Sequence, residues 1–267
     1  MNNRTGKQFA VVTGASSGIG YELARQFAEH DFDVLVVAED EGITSAAERL
    51  SSRDGSAVES LRADLATHEG NDKVYEYIRS SGRRLDAIAI NAGVGVAGPF
   101  AETDLSAQMN LIDLNVMSPV HLTHRVLKDM LSRRAGRILY TSSIAATMPG
   151  PFAATYNASK AFLKSFAEAI RNEVKDTGVV ITVLMPGATD TNFFRRAGNE
   201  DTKLGAGEKD DPAEVAREGF EALMDGKDHV VAGSFKNKVQ ATVSHVLPDT
   251  VTAEMHRKEA EPGSANK

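Results

Sequence analysis

The sequence of 267 residues predicts an α/β protein in which a parallel sheet carries helices on both faces. Three observations point there. Short β-branched or aliphatic runs alternate with longer amphipathic stretches, the order expected of repeated strand–helix–strand units. One run, Leu85 to Ile90, is continuously apolar, as a strand buried on both faces should be. A glycine-rich segment, Gly14 to Gly20, falls between the first such run and the first amphipathic stretch, where a strand hands over to a helix.

Taken in order, Phe9 to Thr13 reads as the first strand and Tyr21 to Glu29 as a helix. Val34 to Ala38 is a second strand, with Ala46 to Leu50 inside the helix after it. Val58 to Ala63 is a third strand, followed by a helix around Asp72 to Ser80. Leu85 to Ile90 is the fourth, and a long helical region follows over roughly Leu105 to Arg134. Ile138 to Thr141 and Val179 to Met185 give the fifth and sixth strands, with Phe152 to Asp176 between them as loop and helix. Asp211-Pro212 opens another helix, Asp as N-cap and Pro at the first helical position, which ends at Gly226. Val230 to Ala232 is a short seventh strand. No internal boundary or repeat interrupts the pattern, so 1–247 is expected to be one domain. The tail, 248–267, is expected to be partly disordered, Gly263 to Lys267 above all, after a helical stretch around Lys238 to Val246.

Composition narrows the functional classes. With no cysteine there are no disulfides, thiolate zinc sites or cysteine nucleophiles. A net charge of −7 leaves no electrostatic footprint for nucleic acid or anionic lipid. The polar start, Met1 to Lys7, shows no signal peptide and no run is long enough to span a membrane, so a cytoplasmic protein is the expectation. His121 and His124 lie three apart on a helix, but no partner ligands sit near them in sequence.

The chemistry centres on Thr155-Tyr156-Asn157-Ala158-Ser159-Lys160. Helical residues four apart share a face, so Tyr156 and Lys160 point at one spot. A lysine ammonium beside a phenol favours the phenolate and lowers a pKa that is about 10 in water. Such a phenol can exchange a proton with an alcohol or carbonyl oxygen, which is half of a redox reaction. The other half needs a hydride carrier. Glycines at 14, 18 and 20 allow a tight turn and a close backbone approach to a pyrophosphate at a helix N-terminus.

The loop Thr13-Gly14-x-x-x-Gly18-x-Gly20 resembles that of the short-chain dehydrogenase/reductase family, common type. Further matches run along nearly the whole chain: Asp64-Leu65, Asn91-Ala92-Gly93, Asn115, Ser143, Tyr156-x-x-x-Lys160 and Pro186-Gly187. The resemblance implies a doubly wound Rossmann fold and a carbonyl–alcohol oxidoreductase using NAD or NADP. It implies that Tyr156 is the general acid/base, that Ser143 hydrogen-bonds the substrate oxygen, and that Lys160 tunes the tyrosine and binds the nicotinamide ribose. Asn115 would hold a relay water. Gly14, Ser16, Ser17, Gly18, Ile19 and Gly20 would cradle the cofactor's phosphates. Asp64 and Leu65 would meet the adenine, Asn91 and Gly93 its ribose, and Pro186, Gly187, Thr189 and Thr191 the nicotinamide. A homodimer or homotetramer is implied by the same likeness.

Glu39, nineteen positions after Gly20, stands close to where a ribose-binding acid is expected. The run Ala38-Glu39-Asp40-Glu41 would repel a 2′-phosphate of charge about −1.5 to −2, which favours NAD over NADP unless Arg62 or a lysine intervenes. The substrate is expected between Ser143, Tyr156 and two variable segments, with Met148 and Phe152 on one and Phe193 on the other. Apolar linings there suit a hydrophobic or aromatic ketone or secondary alcohol. The rival reading is a dinucleotide-binding sensor or scaffold without turnover. Such proteins usually lose the tyrosine or the lysine, and both are present.

Overall fold

A parallel sheet of seven strands runs through the computed structural model, which describes residues 6–244 and 247–266. The strands are β1 (Gln8–Thr13), β2 (Phe32–Ala38), β3 (Val58–Arg62), β4 (Leu85–Ile90), β5 (Gly136–Thr141), β6 (Val179–Pro186) and β7 (His229–Ala232). Their order across the sheet is β3-β2-β1-β4-β5-β6-β7, every pair parallel. The order reverses between β1 and β4, and a crevice opens at such a switch point beyond the strands' C-terminal ends.

Alternation along each strand builds two cores. Phe9 and Val11 of β1 face one layer, Ala10 and Val12 the other. The first layer holds α3 (His68–Ser80), α5 (Ser118–Ser132) and α6 (Ala154–Val174), through residues such as Val74, Leu122, Val126 and Leu163. The second holds α1 (Gly18–Glu29), α2 (Gly42–Asp54) and α9 (Pro212–Met224), through Leu23, Phe27, Leu50, Val215 and Phe220. Each such fully buried side chain contributes about 1.5–3 kcal/mol. The predicted cap of α9 is observed, with the Asp211 carboxylate accepting from the Ala213 N–H at 2.9 Å and Pro212 at the first position.

Two elements differ from expectation. The long helical region is α4 (Leu105–Ile112) and α5 joined by a π-helical turn, Asp113–Met117. The cause is Pro119, which has no N–H to offer the Asn115 carbonyl four residues earlier. The tail also departs from the disorder expected of it. After α10 (Phe235–Ser244) comes α11 (Asp249–Ala260), then a 3₁₀ turn over Ser264–Asn266. Thr252, His256 and Ala260, four apart, are buried, and α11 packs on α8 (Lys203–Ala206). The Gly263 N–H donates to the Asp201 carboxylate at 2.8 Å and the Ala265 N–H to the Asp201 carbonyl at 3.0 Å. Segment 248–266 is thus clasped to the domain by hydrogen bonds that a local reading cannot anticipate. His245, Val246 and Lys267 lie outside the described residues.

Candidate active site

A cleft of about 630 Å³ lies over the C-terminal ends of the strands, within the size range of small-molecule sites. Gly14 forms its floor at φ +66°, and a Cβ there would stand 2.8 Å from the Cα of Ala92. A Cβ on Gly20 would collide with the Gly14 carbonyl. This bare backbone opening onto the start of α1 is a cradle shaped for a pyrophosphate. Asn91 ties β4 to β1 beneath it, its N–H donating to Thr13 Oγ1 at 2.9 Å and its Nδ2 to the Thr13 carbonyl at 3.0 Å. Every cofactor residue expected from the sequence, Gly14 through Thr191, lines the cleft. These residues fit a nicotinamide dinucleotide.

Tyr156 and Lys160 lie one turn apart on α6 and both face the cleft. The phenol hydrogen-bonds Ser143, whose Oγ also donates to the Pro186 carbonyl at 3.3 Å and accepts the Ala145 N–H at 3.1 Å. Lys160 Nζ donates to the Thr141 carbonyl at 2.9 Å and sits 5.7 Å from the centre of the Tyr156 ring. Burial pushes the Tyr156 phenol up to about 12, opposed by its bond to Ser143. Burial also lowers Lys160 to about 8. The expected tuning of the phenol by the lysine is therefore corrected here. Loss of water disfavours the phenolate more than its surroundings favour it.

Asn115 is placed differently from its expected role. It does not line the cleft; its Oδ1 accepts the Val94 N–H at 2.9 Å while its Nδ2 donates to the Val94 carbonyl and to Ser159 Oγ. The carboxamide is committed to holding the loop after β4 against α6. What Pro119 leaves without its α-helical donor is the Asn115 main-chain carbonyl.

Of the expected substrate residues, Met148 and Phe193 line the cleft, and the Phe193 ring lies 5.1 Å from that of Tyr156. Phe152 does not. At φ +65° its backbone turns the ring out beneath the Arg257 guanidinium, 5.0 Å away, so the assignment of Phe152 to the substrate is withdrawn. Glu39 borders the cleft, but the acid that reaches the phosphate loop is Asp40. Its carboxylate accepts from Ser16 Oγ at 2.7 Å and from the Gly42 N–H at 3.0 Å. Arg62 is engaged with the Glu39 carbonyl at 2.7 Å and the Glu41 carboxylate at 3.0 Å. Sequence reasoning also missed Asn199, Asn237, His256 and Glu259, which chain folding brings to the cleft from the C-terminal third. Gly187 lacks a Cβ where the Asn237 carboxamide packs. His121 pairs with Asp72 at 2.9 Å, and no metal-binding cluster occurs among the described residues.

Comparison with known proteins gives the family of the chain. The family model for short chain dehydrogenases matches residues 8–202. A 17-beta-hydroxysteroid dehydrogenase type 3 of Mus musculus is 35% identical over 73% of this chain and 65% of its own length. An uncharacterized oxidoreductase of Staphylococcus saprophyticus is 30% identical over 80% of this chain and 90% of its own. Among solved structures, a short-chain dehydrogenase from Sphingobium yanoikuyae in complex with NADPH superposes with a TM-score of 0.78 at 26% identity. That match covers 84% of this chain and 87% of the other. The chain belongs to the short-chain dehydrogenase/reductase family. It is an NAD(P)-linked oxidoreductase acting on CH–OH groups, which displaces the reading as a scaffold without turnover. No helix among the described residues is long and apolar enough to cross a membrane.

Proposed function

We propose that the protein interconverts a carbonyl and a secondary alcohol with Tyr156 as the group that gives or takes the proton. The observation that carries this reading is the meeting of the Tyr156 and Ser143 hydroxyls beside the Lys160 ammonium, inside a cleft that ends in a phosphate cradle. A nicotinamide dinucleotide in the cleft supplies or accepts the hydride. In reduction the Tyr156 hydroxyl passes its proton to the oxygen becoming an alkoxide, while Ser143 donates a hydrogen bond to that oxygen. Lys160, charged below about pH 8, supplies positive charge near both. The Asn115 main-chain carbonyl, freed by Pro119, supports a relay water held there rather than by the side chain. A spectrophotometric screen of ketones and alcohols with both cofactors tests the reading. Absence of turnover across aliphatic, aromatic and polycyclic members would reject it.

The favoured cofactor is NAD. Asp40, fixed by Ser16, stands beside the phosphate loop, and Arg62 already has two acceptors. A 2′-phosphate near that carboxylate meets a repulsion of about 1–2 kcal/mol. Asp40→Ala is therefore expected to raise kcat/KM with NADP about tenfold while changing NAD little, read from initial rates. An unchanged ratio would discard the electrostatic argument, and the NADPH bound by the Sphingobium relative makes this comparison a necessary one.

The substrate space next to Tyr156, between Met148, Phe193 and Phe194, suits a hydrophobic or aromatic carbonyl compound. Subunit pairing through α5 and α6 has support in apolar exposure nearby: Leu105, Met109, Met117 and Phe162 are all exposed. Light scattering should give a dimer or tetramer, and Phe162→Asp should shift it toward monomer. A monodisperse monomer at micromolar concentration would dismiss the pairing.

A further inference from the structure

The tail reaches both variable segments that flank the active site. The Arg257 guanidinium covers Phe152, and the His256 ring donates to the Pro151 carbonyl. On the other side, Ser264 Oγ accepts the Lys203 N–H at 2.9 Å and Asp201 takes two backbone N–H groups from the chain after α11. In this position α11 contributes His256 and Glu259 to the lining of the cleft, which Asn199 of the clasped segment also lines.

Two of these side chains each hold a buried polar atom without a partner. Asn199 and His256 are more than nine-tenths buried, at 7% and 8% exposure, yet Asn199 Oδ1 and His256 Nδ1 have no hydrogen-bond partner. Leaving a buried polar atom unpaired destabilises a fold by about 1–3 kcal/mol, and of the six such atoms among the described residues four belong to residues that line the cleft: Thr141, Asn157, Asn199 and His256. Burial lowers the His256 pKa, which keeps the ring neutral, so one of its two nitrogens is an acceptor, and Nδ1 is without a partner. Glu259 is half-buried beside it, with no hydrogen bond or ion pair to its carboxylate among the described residues. Asn199 Oδ1 and the Glu259 carboxylate accept, and the neutral His256 ring offers one further acceptor nitrogen.

Granting the carbonyl–alcohol reading above, we propose that the tail helix recognises the end of the substrate remote from the reacting carbon, and that it selects a hydrogen-bond donor there, a hydroxyl in the simplest case. The substrate is then an apolar body with a carbonyl at one end, over Tyr156, and a hydroxyl at the other, against Asn199, His256 and Glu259. Substrate entry parts the two clasped segments enough to bring their buried acceptors to that hydroxyl. An anionic end group is disfavoured by the Glu259 carboxylate. Of the cations at the cleft, Lys209 is occupied by the Gly205 carbonyl at 2.6 Å, and Lys203, Lys236 and Arg196 are exposed.

Two matched sets of probes test this: benzylacetone with its para-hydroxy and para-carboxy derivatives, and epiandrosterone with its counterpart lacking the A-ring hydroxyl. In at least one set the hydroxylated member should have a kcat/KM at least tenfold above the bare ketone, mostly through KM. Asn199→Leu, His256→Phe and Glu259→Gln should each bring that ratio down severalfold; Glu259→Gln, at a half-exposed position, keeps the test sound where a buried substitution fails to fold. Calorimetric titration of the same compounds onto the wild-type protein separates this proposal from the reaction itself. Absent turnover rejects the dehydrogenase reading, and the binding difference still decides this one. Equal behaviour of the members, including no binding by any, a preference for the carboxylate, or a ratio untouched by all three substitutions would overturn it.

Discussion

Tyr156→Phe is expected to lower turnover about a thousandfold in both directions while leaving dinucleotide affinity within about threefold. In the proposed mechanism the phenol is the acid, and its oxygen is what Ser143 contacts. Phenylalanine keeps the ring against Phe193 and removes only that oxygen. The pH behaviour carries the same signature. With its pKa pushed up to about 12, the phenol stays protonated through neutrality, so it can donate in reduction without titrating there. Alcohol oxidation needs the phenolate, and its rate should climb with pH in the wild type and lose that climb in the variant. Steady-state kinetics and fluorescence titration of the reduced dinucleotide supply both readouts. Turnover above a tenth of wild type would place the proton donor elsewhere.

Lys160→Met is expected to act in opposite senses on activity and stability. Burial holds the folded-state pKa near 8, against about 10.4 for an unperturbed lysine. Below pH 8 both folded and unfolded chains carry the charge, and the folded chain bears its full desolvation, about 3 kcal/mol by linkage. Between pH 8 and about 10.4 the folded chain has released the proton while the unfolded chain still binds it, so wild-type stability rises with pH. The methionine variant never bears that burden. It does leave the Thr141 carbonyl without the bond at 2.9 Å, which returns about 1 kcal/mol. A net gain of about 2 kcal/mol, or roughly 4–8 °C in Tm, is expected at pH 7, narrowing toward pH 10. Activity should fall, because the positive charge beside Tyr156 is lost. Thermal unfolding across pH 6 to 10 checks the sign, and a variant less stable than wild type at pH 7 would show that the lysine is a net stabiliser.

The sequence was most informative where the chemistry is local. The strand and helix order, the parallel sheet and the α9 cap follow from apolar period and from Asp211-Pro212, because those signals concern neighbours in the chain. The residues proposed for cofactor and catalysis that line the cleft were legible for the same reason, since Gly14 to Gly20 and Tyr156 to Lys160 are short motifs with fixed spacing. The break at Asn115 ahead of Pro119 lies inside what the apolar pattern presents as one long helical region. What the sequence could not supply was which side chain wins a contested space. Asp40, not Glu39, reaches Ser16, and the choice turns on the path of the chain after β2. Phe152 turns away from the cleft because a left-handed backbone at that residue aims its ring at Arg257, a hundred positions downstream.

Tertiary structure alone decided the protonation of the pair on α6 and the identity of the far wall. By itself the sequence determined that a phenol and an ammonium share a helix face. Only burial set their pKa values, raising one and lowering the other, because desolvation depends on everything packed around a group rather than on its neighbours in the chain. His256 and Glu259 lie about a hundred residues from Tyr156 in sequence. They reach the same cleft because Asp201 and Lys203 hold the tail by hydrogen bonds, two of them through the Asp201 carboxylate and the Ser264 hydroxyl, between residues about sixty positions apart, a separation no local pattern registers.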